Sequence, residues 1–125
     1  MKPLVINIEA VAEGNDFFRD EIVTGEHSQI TVMSIEAGED IGEETHDVDQ
    51  ALIFVKGTGK SIMDDKEYDI EPGTLAFVPA GTKHNFINTG KEKLKLFTLY
   101  APSAHVPGTI HPTKKDAETD PNEHD

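Results

Sequence analysis

The chain has 125 residues and no cysteine. That absence removes disulfides, thiolate nucleophiles and zinc–thiolate sites together, leaving imidazole, carboxylate and amide oxygen as the metal ligands on offer. Long apolar runs are also missing: nothing approaches the roughly 18 residues that cross a bilayer, and Met1-Lys2-Pro3 leads into an alternating segment, not a signal sequence. A cytoplasmic, soluble product with no membrane partner is expected. Basic residues are scarce, 11 Lys and Arg against 24 Asp and Glu, for a formal charge of −13. Without a basic patch to release counterions, nucleic acid is not an expected partner. No Ser or Thr stands in a nucleophile elbow, and Lys56-Gly57-Thr58-Gly59-Lys60 reads as a hairpin, not a phosphate cradle. Nucleotide cofactors are therefore not expected. No apolar period of 3.6 residues persists long enough for a long helix.

What is present is a procession of short alternating or β-branched segments. They run over Leu4 to Ile8, Glu21 to Thr24, Gln29 to Glu36, Ala51 to Lys56, Lys60 to Met63, Glu67 to Ile70, Leu75 to Val78, His84 to Ile87 and Leu94 to Tyr100. Turn signals separate them, clearest at Gly57-Thr58-Gly59, Asp64-Asp65 and Asn88-Thr89-Gly90. Many short strands at close spacing predict an all-β sandwich or barrel. Beyond Pro102 the texture turns proline-rich and then acidic, which predicts a tail whose final residues are mobile. The expected division is an N-terminal strand segment at 1–24, a barrel at 25–102 and a tail at 103–125.

Two glycine-framed runs carry the chemistry: Gly38-x5-Glu44-x-His46-x3-Gln50-x6-Gly57 and Gly73-x5-Pro79-x-Gly81-x2-His84-x3-Asn88. Glu44 and His46 are two apart, so on an extended chain both project to one face and can grip one ion. His84 and Gln50 would close the site, although the Gln50 amide could instead be a hydrogen-bonder behind the ligands. Seven acids from Glu36 to Asp49, with no Lys or Arg among them, would raise the local concentration of divalent cations. Apart from Glu44 they read as a solvated loop. Gly38, Gly57, Gly73, Gly81 and Pro79 read as turn-formers, and Asn88 as a turn cap.

The two runs resemble the paired motifs of the cupins, small β-barrels that hold one metal in the barrel mouth, from about Gly38 to Asn88. The second run fits that pattern at Gly73, Pro79, Gly81, His84 and Asn88. The first departs at Glu44, where the commonest cupins carry histidine, and at Gln50, where they carry glutamate. A narrower resemblance, to a group of short bacterial cupins, rests on Phe18-Arg19, Gly25 to Gln29 and Pro107 to His111. The resemblance implies a cupin-type double-stranded β-helix (jelly-roll) barrel with a short mobile C-terminal tail, and a metal set of Glu44, His46, Gln50 and His84.

Two imidazoles, a carboxylate and an amide oxygen suit one divalent Mn, Fe, Co, Ni or Zn ion and are too nitrogen-rich for Mg or Ca. Such an ion polarises a carbonyl or hydroxyl, which suggests a redox-neutral isomerase, epimerase or lyase acting on a small-molecule carbonyl, sugar or sugar-acid substrate. By resemblance at the site alone, the same ligand types, with Gln and Glu exchanged in position, occur in zinc phosphomannose isomerases, and a small cupin that linearises unsaturated uronates also uses a glutamine ligand. The alternatives are an Fe(II) dioxygenase built on Glu44, His46 and His84, and a non-catalytic binding module. No catalytic residue is assigned; Tyr68, Tyr100, His105 and His111 are the acid–base groups in reach of consideration, His105 and His111 reading as surface residues and His27 as a structural hydrogen-bonder. Phe54, Phe77, Phe86 and Phe97 read mainly as core, one or two of them lining the pocket. The apolar residues before Gly25 exceed what a minimal barrel needs, which predicts a two-fold homodimer with N-terminal strands packed or paired across it.

Overall fold

The computed structural model describes residues 2–122. The chain opens with a short helix, α1 (Ile8–Gly14), and continues through β1 (Arg19–Thr24), β2 (Gln29–Ile35), β3 (Asp49–Lys56), β4 (Gly59–Met63), β5 (Lys66–Ile70), β6 (Leu75–Val78), β7 (His84–Asn88) and β8 (Leu94–Ala101). A two-residue strand, β9 (Ile110–His111), and a helix, α2 (Lys114–Thr119), complete it. The strands form two antiparallel sheets, one in the order β6-β3-β8-β2-β1-β9 and the other β5-β4-β7. This is the all-β barrel the strand pattern predicts.

The turns follow their residues. Asp64 and Asp65 both take positive φ, 48° and 68°, as a two-residue hairpin between β4 and β5 demands. Gly57 sits at φ 91°, where an added Cβ would also meet the Lys93 carbonyl oxygen at 2.9 Å.

The inner face of the large sheet divides in two. Towards one end lie Ile35, Leu52, Phe54, Leu94 and Leu96, which with Phe86 and Ile70 of the small sheet make the apolar core. Phe54 and Phe86 meet there with ring centroids 5.7 Å apart. Towards the other end the buried residues become polar: Arg19, Gln29, Thr31, Gln50, Thr98 and Tyr100. The apolar end supplies the folding energy, which leaves the polar end available for a site.

One expectation about the N-terminus needs correction, and the structure adds detail to the C-terminal segment. Leu4 to Ile8 is not a strand. Asn7 accepts a hydrogen bond from the Ala10 amide at 3.0 Å and so caps α1, and the preceding residues pair with no sheet edge. The short β-branched run is overridden by a helix signal immediately after it. In the tail, residues 110 to 119 are integrated into the fold. β9 pairs with β1 in the register Arg19↔His111, and Ala117 of α2 packs against the core. Thr113 and Asp116 form a reciprocal capping box at the start of α2. The mobility expected of the final residues, His124 among them, falls on residues 123–125, outside those described.

Candidate metal centre

Glu44 and His46 lie on an extended segment between β2 and β3, zipped to the start of β7. Glu44 and His84 exchange both backbone hydrogen bonds, each 2.9 Å, and the Gly81 amide donates to the His46 carbonyl at 2.7 Å. Gly81 reaches this position with φ 87°, which a β-carbon would disfavour. The alternation along 44–46 and the cross-strand pairing of Glu44 with His84 bring three side chains to one place.

Their potential ligand atoms all lie within 4.8 Å of one another. His46 Nε2 stands 2.7 Å from Glu44 Oε2, and both side chains are about nine-tenths buried, at 10% and 11% exposure. The His46 and His84 ring centroids are 5.2 Å apart. His84, 3% exposed, donates its Nδ1 hydrogen to the Thr82 carbonyl at 2.8 Å, which leaves the Nε2 lone pair for another partner. Burial holds its imidazole below the ordinary range, with the nearby His46 adding to the effect against the opposing pulls of Thr82 and Glu44. Burial pushes the Glu44 carboxyl upward, but the hydrogen bond from His46 and the charges of His46, Arg19 and His84 outweigh it and leave the group below its usual value. The result is a carboxylate and a neutral imidazole, the forms that bind cations.

Gln50, 4% exposed on β3, lines the same cavity as these three. Its Nε2 donates to Thr98 Oγ1 at 3.2 Å, whereas its Oε1 is buried without a hydrogen-bond partner. A buried amide oxygen without a partner costs about 1–3 kcal/mol, so an electrophile in the cavity would repay it.

Other residues fall differently from expectation. His105 and His111 are buried, at 8% and 3% exposure, not on the surface. His105 packs edge-on against Tyr100 at 4.9 Å, and its backbone is clamped by Gln29, whose Nε2 donates to the His105 carbonyl at 2.7 Å. His111 is held because β9 joins the sheet, a pairing invisible in two residues of sequence. The His27 ring is exposed and lies 3.7 Å from the equally exposed Glu26. Tyr68 is exposed on β5, and Tyr100 is buried in the wall of the cavity. Phe54 and Phe86 are core and Phe86 also lines the cavity, but Phe77 is 52% exposed on the outer face of the sheet.

Arg19 was not among the residues singled out for chemistry, yet it lines the cavity too, 5% exposed. The available signal was its rarity: it is the only arginine in the chain. An open cleft of about 750 Å³ beside His46, walled by Thr45, Asp47, Ala80, Gly81, Ser103 and Ala104, gives solvent a path towards the site. The enclosed cavity itself has about 10 Å³ of free space, the scale of one ion or water. Donor types, the available Nε2 of His84 and the orphaned oxygen of Gln50 all fit a divalent transition ion.

Comparison with known proteins accords with this geometry. A family profile described as a cupin domain matches residues 31–100, more than half the chain. The protein YrkC of Bacillus subtilis is 44% identical over 123 residues, covering 93% of this chain, which spans 66% of YrkC. The crystal structure of BH2720 from Bacillus halodurans superposes with a TM-score of 0.93 at 41% identity, covering 95% of this chain and 96% of that one. A cupin-family protein with a double-stranded β-helix fold from Methanocaldococcus jannaschii superposes at 0.62 with 25% identity, over 79% and 84% of the two chains. The chain belongs to the cupin family.

Proposed function

We propose that this cupin holds one divalent transition metal through Glu44, His46, His84 and the amide oxygen of Gln50, and uses it for redox-neutral isomerase, epimerase or lyase chemistry on a small carbonyl, sugar or sugar-acid substrate. The observation that carries the reading is the clustering of Glu44, His46 and His84 ligand atoms within 4.8 Å of one another. The Thr82 carbonyl fixes the His84 tautomer from behind, the usual arrangement for a ligating imidazole. When bound, the ion would polarise a carbonyl or hydroxyl oxygen and acidify the neighbouring carbon or oxygen. The protein's part is to keep the donors desolvated and oriented, which the burial of His84 and Gln50 accomplishes.

A second reading, an Fe(II) dioxygenase, uses the same two histidines and carboxylate without Gln50. The partnerless Gln50 oxygen favours the first, because a fourth protein donor occupies a position that oxygen activation leaves free. Elemental analysis of protein purified without added metal, followed by isomerisation and oxygen-uptake assays, separates them. Zn, Mn, Co or Ni with turnover of carbonyl compounds and no oxygen consumption supports the redox-neutral enzyme. Fe with substrate-dependent oxygen uptake transfers the site to the dioxygenase, and stoichiometric metal without turnover leaves a binding module.

A further inference from the structure

We propose that the cleft beside His46 selects a neutral sugar over the corresponding sugar acid or sugar phosphate, and that Asp47 is the residue that sets the preference. This rests on the metal-binding reading above and narrows the substrate class of that site.

The enclosed cavity among Glu44, His46, His84 and Gln50 has about 10 Å³ of free space, so it takes an ion and little else. A substrate has to lie outside it. The open cleft of about 750 Å³ falls within the range of about 300–1,000 Å³ usual for small-molecule sites, and His46 borders both spaces, so a molecule held in the cleft adjoins the ion. Thr45 and Asp47 alternate along the chain with Glu44 and His46, and on an extended segment they turn to the opposite face. Both line the cleft.

An anionic group finds little to hold it there. Among the described residues, no Lys or Arg walls the cleft. Backbone donors of its walls are already engaged: the Ala80 amide donates to Asp49 Oδ1 at 3.0 Å, that of Gly81 to the His46 carbonyl at 2.7 Å and that of Ala104 to Gln29 Oε1 at 3.2 Å. The first of these bonds also holds a second carboxylate, Asp49, against the Ala80 wall. Lys83, the nearest lysine along the chain to Gly81, pairs with Asp65 at 3.3 Å. The charges behind the cleft do not reverse this. Arg19 lies beside Glu44 and Glu118, and Lys114 in the same space pairs with Asp40. A divalent ion and Arg19 bring three positive charges, which Glu44, Glu118 and Asp47 match while His46, His84 and Gln50 bind as neutral ligands. Site and mouth are balanced before Asp49 is counted, so nothing calls for an anion.

What the cleft offers suits hydroxyl groups. The side chains of Thr45, Asp47 and Ser103 are exposed in it and can be reached without rearrangement. A carboxylate accepts at both oxygens, so two neighbouring hydroxyls of a sugar can bond to Asp47 together, each bond strengthened by its charge. The Thr45 and Ser103 hydroxyls both donate and accept, which matches further hydroxyls of either sense. A carboxylate or phosphate on the same sugar would instead meet Asp47 and Asp49 as like charges.

The test uses the full chain loaded with Zn(II) and titrated in turn with D-glucose, D-fructose, D-glucuronate and glucose 6-phosphate, while NMR follows the backbone amides of Thr45, Asp47 and Ser103. The expected result is a saturable shift of these amides with at least one neutral sugar, and about tenfold weaker binding of each anion at low salt. That difference should shrink between about 0.01 M and about 1 M salt, as the screening length falls from about 30 Å to about 3 Å. Asp47→Asn should reverse the balance, binding glucuronate more tightly and the sugar less tightly than the wild type, with Zn(II) uptake retained. Either anion binding as tightly as the better sugar, no shift of these amides by either sugar, or an unchanged ratio in Asp47→Asn overturns the proposal while leaving the metal reading intact. Failure of the wild type to bind Zn(II), Mn(II) or Co(II) overturns both.

Discussion

His84 gives its Nδ1 hydrogen to the carbonyl of Thr82, two residues earlier on the approach to β7, at 2.8 Å. That bond fixes the ring's tautomer and leaves Nε2 as the atom among Glu44 and His46. Removing the ring removes a donor that nothing nearby replaces. His84→Ala and His46→Ala are each expected to weaken divalent-metal binding by more than the tenfold to hundredfold typical of losing an outer-shell partner. The apolar cluster around Leu52, Phe54, Leu94 and Leu96 does not involve either histidine, so both variants should retain the wild-type circular dichroism spectrum. For the same reason chelation should leave the spectrum intact, unlike a zinc finger. Titration calorimetry with Zn(II) or Mn(II) checks the first expectation, and collapse of the spectrum on chelation would overturn the second.

Glu44, His46 and His84 were legible because each consequence is local: a two-residue spacing on extended chain, and a histidine following a glycine-proline corner. The strand order of the barrel was legible only as a class, since turns and alternation identify strands without naming their neighbours. Arg19, His105 and His111 were not legible as interior residues. Arg19 and His111 are brought together by β9, two residues long, finding β1 across nearly the whole chain, in the register Arg19↔His111, while His105 is held by Gln29 and Tyr100 from distant strands. The N-terminus misled for the opposite reason, because the alternation of Leu4 to Ile8 is local but Asn7 commits the chain to α1.

The C-terminal segment should be released by acid. Asp40 bonds to Asn85 and to Lys114 of α2, and these contacts hold its carboxyl below the usual value despite partial burial. Asp120 is likewise lowered, first by the hydrogen bond from His111. Both are carboxylates with folded values depressed below the ordinary 3.8. Their contribution is therefore present above pH 3.8 and is lost as pH falls below it through the depressed folded values. Amide exchange at residues 110–119 should accelerate in that window before the β2, β3 and β8 amides respond. At neutral pH, Asp40→Asn should loosen the same residues, at a cost of about 1 kcal/mol or less because the pair is partly exposed. Uniform acceleration across the barrel would show that the segment is not a separate unit.

Assembly is the next expectation. The outer face of the large sheet exposes Leu75, Phe77 and Leu99, at 61%, 52% and 37%, and the N-terminal Leu4, Val5 and Ile6 continue it beside Ile22, Val23 and Phe97. These side chains carry no charge on a chain of formal charge −13, so this is the surface where a second copy can approach with least repulsion. We propose a two-fold homodimer through it, with the N-terminal segment packed across the interface, not paired as a strand. Light scattering at micromolar concentration should give twice the chain mass, and Phe77→Glu should halve it. A monomeric wild type sinks the idea.

Gln50 offers the sharpest chemical test, because its two substitutions predict opposite things. Its Nε2 is bonded to Thr98 Oγ1 and its buried Oε1 has no hydrogen-bond partner. If Oε1 meets the ion, Gln50→Glu keeps the shape and adds a negative charge, which tightens a divalent ion and lowers its power to polarise a substrate. Metal affinity should rise while turnover of any identified substrate falls. Gln50→Ala should leave Glu44, His46 and His84 holding the ion about tenfold to a hundredfold more weakly, with water in the open position. Calorimetry of both variants, with the visible spectrum of the Co(II) form reporting coordination, distinguishes the cases. Unchanged affinity and an unchanged Co(II) spectrum in both would reduce Gln50 to a strand residue bonded to Thr98. The site would then be a facial set of two histidines and one carboxylate, and the balance would move to the dioxygenase.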